Sequence, residues 1–169
     1  MVRYIAPTST PSKDAAWTLT GAASAHLALD EGFLNADDDT TKLTTTTQNA
    51  QFTLGFNIKE PKCWNNQGGL SGGRVILRCK TSGSGIGSAQ LTINVIEGVS
   101  TRATADITPG TSWGGRVLNL TTTEMKSVTD WRNITVQIKR KDNLSTKTTH
   151  VSVVELRLPD QGPPMLRPF

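Results

Sequence analysis

The stretch RVILRCK (Arg74–Lys80) decides the fold class: Val75, Leu77 and Cys79 alternate strictly with Arg74, Ile76, Arg78 and Lys80. A period of two puts the first set on one side of a pleated strand and the second on the other. The same pattern recurs on either side of it. Phe52, Leu54 and Phe56 alternate in QFTLGFN (residues 51–57), and Ala89, Leu91, Ile93 and Val95 share a face of residues 89–96. Ile134, Val136 and Ile138 alternate with Thr135, Gln137 and Lys139. Shorter runs at 16–20, 42–47, 101–107, 115–120 and 150–158 bring the expected strands to eight or nine, with polar glycine-rich loops between them.

Two local signals interrupt the alternation. The apolar phase changes between Val151/Val153 and Val154/Leu156/Leu158, which predicts a β-bulge in the last strand. Thr121-x-x-Glu124 is a capping-box spacing and predicts one helical turn through Met125 to Val128. A second short turn is expected over residues 25–31, with Leu27 and Leu29 facing in. No helix is long enough to cover a sheet, so two sheets must cover each other. The expected fold is all-β, an antiparallel β-sandwich, jelly-roll-like, with one or two single-turn helices.

Composition agrees with this reading. Of the 169 residues, 25 are Thr, a β-branched residue that suits a half-exposed pleated surface. The length fits one domain with a core of ordinary size. Residues 1–14 hold Pro7, Pro11, Ser9 and Ser12 and are expected to form an extended N-terminal arm; residues 15–159 form the sandwich, and residues 160–169 a Pro-rich C-terminal arm. Tyr4, Ile5, Met165, Leu166 and Phe169 would leave apolar surface in water unless the arms lie on a neighbouring molecule, so they are candidate partner contacts.

The net charge is +4, with 4 basic and 7 acidic groups in residues 1–60 and 14 and 7 in residues 61–169. The basic residues are spread over separate strands, so no direct nucleic acid partner is expected. No run approaches 18 apolar residues and no apolar signal core follows Met1, so neither membrane nor export is expected.

The chemistry-bearing residues are few. Asp37, Asp38 and Asp39 are the densest acidic feature and a weak candidate for a metal, calcium in particular, although the EF-hand spacing is absent. His26 and His150 belong to no compact motif with a nucleophile, and Ser71 and Ser84 have no identifiable base, so no catalytic residue, no enzyme and no cofactor are expected. Trp17, Trp113 and Trp131 are expected in the structural core, as is Cys79 by its inward register. A Cys63–Cys79 disulfide is the alternative for the thiol. Trp64 sits in the polar loop CWNNQGG and is the candidate ligand contact.

TSW (111–113), LNL (118–120), the Thr-capped turn, VTDWRNITVQI (128–138) and VSVVELRLP (151–159) together resemble small β-sandwich structural proteins of tailed bacteriophage virions. AWTLTG (16–21), HLALDE (26–31) and AQFTLGF (50–56) fit the same pattern. The resemblance implies a non-enzymatic virion protein assembled in the host cytoplasm. It would most simply be a capsid decoration protein, self-associating as a trimer or other cyclic oligomer and bound to the major capsid or other virion proteins. A phage neck or tail component and a carbohydrate-binding module for host attachment, with a surface glycan as partner, are the alternatives.

Overall fold

The computed structural model describes residues 4–30, 32, 36–59 and 70–159. These form eleven strands in two antiparallel sheets, one short helix and one 3-10 turn, in a jelly-roll-like arrangement. Sheet A runs β3 (Thr18–Thr20), β4 (Lys42–Thr45), β11 (Lys147–Arg157), β6 (Arg74–Gly83) and β9 (Gly114–Asn119), with β1 (Tyr4–Ile5) paired to the far end of β11. Sheet B runs β2 (Ser9–Lys13), β5 (Gln51–Gly55), β10 (Ile134–Arg140), β7 (Leu91–Glu97) and β8 (Ser100–Ile107).

The inward registers are those the alternation gives. Val75, Leu77 and Cys79 of sheet A, with Val151, Val154 and Leu156 opposite them, face Phe52, Leu54, Ile93, Val95, Val136 and Ile138 of sheet B, and all are buried. Trp17 packs edge-on against Phe52, with ring centroids 4.9 Å apart and planes at 88°. Trp131 is fully buried in the same cluster.

Two differences from expectation concern elements. The two additional strands come from the presumed N-terminal arm: Tyr4–Ile5 pairs with Arg157 and Leu156, and Ser9–Lys13 pairs along β5. Ser/Pro-rich chain is poor at central pairing, but both strands are short edges, where an absent ladder donor such as Pro11 faces outward at little cost. Of the segment expected to turn over 25–31, residues 25–29 do so and Leu29 is buried, but Leu27 is exposed, while Ala25 and Ala28 fill the inward positions instead. Residues 160–169 lie outside the described residues.

The bulge falls between Val151 and Val153. Ser152 is the extra residue, after which Val153 stands opposite outward-facing Arg78 and Val154 opposite inward-facing Leu77. Beyond β4, Leu29 takes the vacant edge of β11, its carbonyl accepting from the Val154 N–H at 3.3 Å.

The connection from β9 in sheet A to β10 in sheet B carries α1 (Thr122–Ser127) and the 3-10 turn Trp131–Asn133. Thr121 caps α1: its hydroxyl accepts from Glu124 N–H at 3.2 Å, and the Glu124 carboxylate accepts from Thr121 N–H at 2.6 Å. The turn that follows is held by Glu97 at the end of β7. Its carboxylate accepts from the Thr129 N–H and hydroxyl, the Asp130 N–H and the Arg102 guanidinium.

The inward register of β10 ends on a charge. Arg140 follows Ile134, Val136 and Ile138 on the core side and is 0% exposed. Its guanidinium pairs with Asp142 at 2.8 Å and donates to the carbonyls of Thr45 at 2.8 Å and Leu144 at 2.6 Å. Every one of these acceptors lies at the end of the sandwich, so the charge is buried but matched.

Candidate functional site

Opposite the core, the outer face of sheet B is tiled with neutral polar side chains. Pairing aligns Ser12 with Thr53, Thr53 with Gln137, Gln137 with Asn94 and Asn94 with Thr104, one residue from each of the five strands. At a strand spacing near 4.8 Å this row is about 19 Å wide. It forms because the inward positions flanking it, Phe52, Leu54, Ile93, Val95, Val136 and Ile138, are taken by aliphatic or aromatic residues, which leaves Thr, Asn, Gln and Ser facing outward.

The middle of the row is ordered. Thr104 Oγ1 donates to Asn94 Oδ1 at 2.7 Å, and Asn94 Nδ2 donates to Gln137 Oε1 at 2.9 Å. A chain of donors running in one direction polarises its members and fixes the planes of both carboxamides. The Gln137 amide nitrogen and the Thr53 and Ser12 hydroxyls at the other end of the row make no bond to a described residue. In the adjoining row Gln51, Lys139, Thr92 and Asp106 align, with Thr92 Oγ1 donating to Asp106 Oδ1 at 2.7 Å and Lys141 pairing with the same carboxylate. The other adjoining row holds Thr135 and Ile96. None of these positions carries an aromatic ring. The arrangement offers hydroxyls and fixed amides to a neutral, hydroxyl-rich ligand and offers no nucleophile with a base.

The outer face of sheet A gathers the residues that the sequence singled out. Asp37 closes a turn, accepting from the Thr41 N–H at 3.0 Å and the Thr41 hydroxyl at 2.6 Å. Asp38 adopts a left-handed backbone with φ +44° and takes both nitrogens of an Arg78 fork at 2.6 Å, along with the Ser152 hydroxyl at 2.8 Å. The Arg78 fork holds the Asp38 carboxyl below its ordinary range. Lys80 at 2.9 Å and Lys42 at 3.0 Å hold the Asp39 carboxyl well below that range. Gly21, with φ +77°, allows the start of this loop to cross its end, since a Cβ there would stand 2.0 Å from the Thr40 carbonyl oxygen.

Asp37, Asp38 and Asp39 are the weak metal candidates of the sequence. The three carboxylates are spread over a turn, an arginine and two lysines, and no group of three potential ligands converges among the described residues.

Trp113 is not part of the core cluster. It is half-buried on this face, with Lys80 Nζ 4.6 Å from its ring centroid and the His150 ring 6.2 Å away. It precedes β9 at the sheet edge, so its ring covers the outward row of Lys80 and His150 instead of the sandwich interior. His150 Nε2 hydrogen-bonds Ser82 Oγ at 2.7 Å, a pairing not foreseen because the two residues meet only across the β6–β11 ladder. Burial, with Lys80 and Lys42 nearby, pulls the His150 pKa down to about 4. Its Nδ1 is buried without a partner, so no carboxylate orients the ring and the Ser82–His150 pair lacks the third group of a catalytic triad. His26 instead lies at 3.1 Å from the hydroxyls of both Thr10 and Ser24.

Trp17, Trp131 and Cys79 are all buried. Cys79 carries a free thiol, which burial pushes up to about 12. Among the expected contacts, Tyr4 is exposed on the outer face of sheet A and Ile5 packs against the core. Trp64, Cys63, Met165, Leu166 and Phe169 lie outside the described residues.

No protein-family model matches the chain, and no curated protein does. Solved structures do. TmCBM61 in complex with beta-1,4-galactotriose aligns at TM-score 0.45 and 10% identity, covering 94% of this chain and 88% of that one. The family 11 carbohydrate-binding module from Clostridium thermocellum, in complex with a beta-1,3-1,4-mixed-linked tetrasaccharide, aligns at 0.40 and 13%, covering 90% and 94%. The Agl-KA catalytic domain aligns at 0.49 and 14%, covering 99% of this chain but 29% of its own length. At these identities the likeness concerns the sandwich itself. Two of these three are carbohydrate-binding modules and one is a catalytic domain, none is a virion protein, and the expectation of a capsid decoration protein, with its virion and bacteriophage description, is corrected accordingly.

Proposed function

We propose that this chain is a non-catalytic glycan-binding module that takes a neutral oligosaccharide across the outer face of sheet B. The observation that carries the reading is the five-strand row Ser12–Thr53–Gln137–Asn94–Thr104, with its hydrogen-bonded centre and open amide end. Sugar hydroxyls both donate and accept, so a planar carboxamide can bridge two of them, and a rigid amide loses little entropy on doing so. The strand framework supplies that rigidity.

The test is a glycan array followed by calorimetry, with β-1,4-galactan, mixed-linked glucan and xylan among the probes. Gln137→Ala and Asn94→Ala are expected to weaken binding at least tenfold while leaving the melting temperature within a few degrees of wild type. Trp64→Ala forms a parallel arm that reports whether the 60–69 loop adds to the site. An array with no ligand for the wild-type protein, or full binding by both amide variants, would sink the proposal.

A further inference from the structure

We infer that Lys139 gives the glycan face of sheet B a preference for an acid: it takes an anionic substituent, a uronate carboxylate or a sulfate ester, carried by an otherwise neutral chain. The inference rests on the glycan reading and adds to it the class of substituent that the face selects. Lys139 lies on β10, the central strand of sheet B, two residues after Gln137 and therefore on the same outer side, about 7 Å further along. A one-sugar branch, or an ester on a backbone sugar, spans that separation.

The polar groups of this face are unequally spent. Towards β8 they bind one another: Thr104 and Asn94 belong to the chain that ends on Gln137 Oε1, and Thr92 and Lys141 hold the Asp106 carboxylate. Towards β5 they are open. Thr53 pairs with Gln137, and Gln51 with Lys139, so four outward side chains form one block across β5–β10. The Thr53 hydroxyl, the Gln51 carboxamide, the Gln137 amide nitrogen and the Lys139 ammonium make no bond to a described residue. Lys139 is the cation of the block, and it is half-buried.

No described carboxylate of its row pairs with it. Asp14 and Asp106 stand at the two ends of that row, each two strands from Lys139. Asp14 accepts from the Gln51 backbone N–H at 2.9 Å, and Asp106 is held by Thr92 and Lys141. The residues directly opposite Lys139 are the neutral Gln51 and Thr92. A lysine ammonium is a compact charge with three donors on a flexible stem, which suits an anionic group whose position varies along a chain. The Gln51 and Gln137 amides add neutral donors beside it.

The experiment is calorimetry of the full chain with matched oligosaccharides on xylan, β-1,4-galactan and mixed-linked glucan backbones. Each backbone is tested unsubstituted, with a glucuronosyl branch, with that branch reduced to glucosyl, and with a sulfate ester. On a backbone that binds, wild type is expected to favour an acidic form over its neutral counterpart by about fivefold, the worth of a partly exposed ion pair. Lys139→Gln is expected to bind acidic and neutral forms equally. A larger gain from glucuronosyl than from sulfate would identify a uronate as the substituent, and the reverse order a sulfate ester. Equal binding of acidic and neutral forms by wild type, or a preference kept by Lys139→Gln, would overturn the inference and leave the glycan reading standing; binding of none of the chains would sink both. The wild-type comparison decides the matter even if the variant fails to fold.

Discussion

At the scale of single residues, Arg140 shows how a charge finishes an apolar register. It occupies an inward position of β10, yet its guanidinium is spent on Asp142 and two carbonyls at the end of the sandwich. Removing one partner of such a pair strands the other. Arg140→Ala is expected to lower the unfolding free energy by about 3–5 kcal/mol, read from urea denaturation; a loss below about 1 kcal/mol would show that Asp142 is resolvated instead. The expectation was not available from the sequence, where Ile134, Val136 and Ile138 suggest an aliphatic end and Arg140 looks like a solvated strand terminus. Burial there depends on Thr45 and Leu144, which approach from β4 and the β10–β11 connection.

At the scale of elements, legibility followed locality. The capping box was read directly because Thr121 and Glu124 are three residues apart, and both of its bonds form. Thr121→Ala is expected to cost about 1 kcal/mol and to speed amide exchange in residues 122–127 with little effect on the strands. An unchanged exchange pattern would mean that Met125 packing alone holds the turn. The bulge was legible for a related reason: it is a change of phase along one strand, and Ser152 is its extra residue. The N-terminal strands were not legible. Their composition argues against pairing, and they exist because β5 and β11 have free edges that short, Pro-bearing segments can take.

At the scale of the whole molecule, acid should unfold this protein in two stages. The first belongs to His150. Its folded pKa, near 4, lies below the ordinary 6.5, so the unfolded chain binds the proton first and stability falls as pH drops from about 6.5 to about 4. Lys80, Lys42, Asp39, Ser82 and Trp113 surround it, and the two lysines oppose a third positive charge. The second stage belongs to carboxylates with lowered folded pKa values. Burial would push Glu97 and Asp142 up, but donors from Thr129, Asp130 and Arg102 outweigh it at Glu97, and Arg140, Gln90 and Leu144 outweigh it at Asp142. Arg78 lowers Asp38. The stability these groups contribute is present above the ordinary carboxylate pKa near 4 and is lost as pH falls through their folded values. Melting temperature against pH should therefore be flat above about 7, decline towards 4 and decline again below it. His150→Gln should remove the first decline and leave the second; a variant that keeps both would assign the first stage elsewhere.

The sequence by itself determined the all-β sandwich, the inward face of each main strand, the bulge and the capped turn. Each of these depends on periodicity or on side chains a few residues apart, where backbone geometry alone dictates which groups share a face or meet. The tertiary structure alone decided the two outer surfaces. Ser12, Thr53, Gln137, Asn94 and Thr104 form one row, and Tyr4, Arg157 and Arg74 another, only because strands distant in sequence became neighbours in a given order and register. The same pairing drew the Asp38 and Asp39 carboxylates onto Arg78 and Lys80 and moved Trp113 to an outer face. Alternation specifies which side of a strand is wet, but it carries no information about which wet sides lie next to one another, because that is settled by how the apolar faces pack.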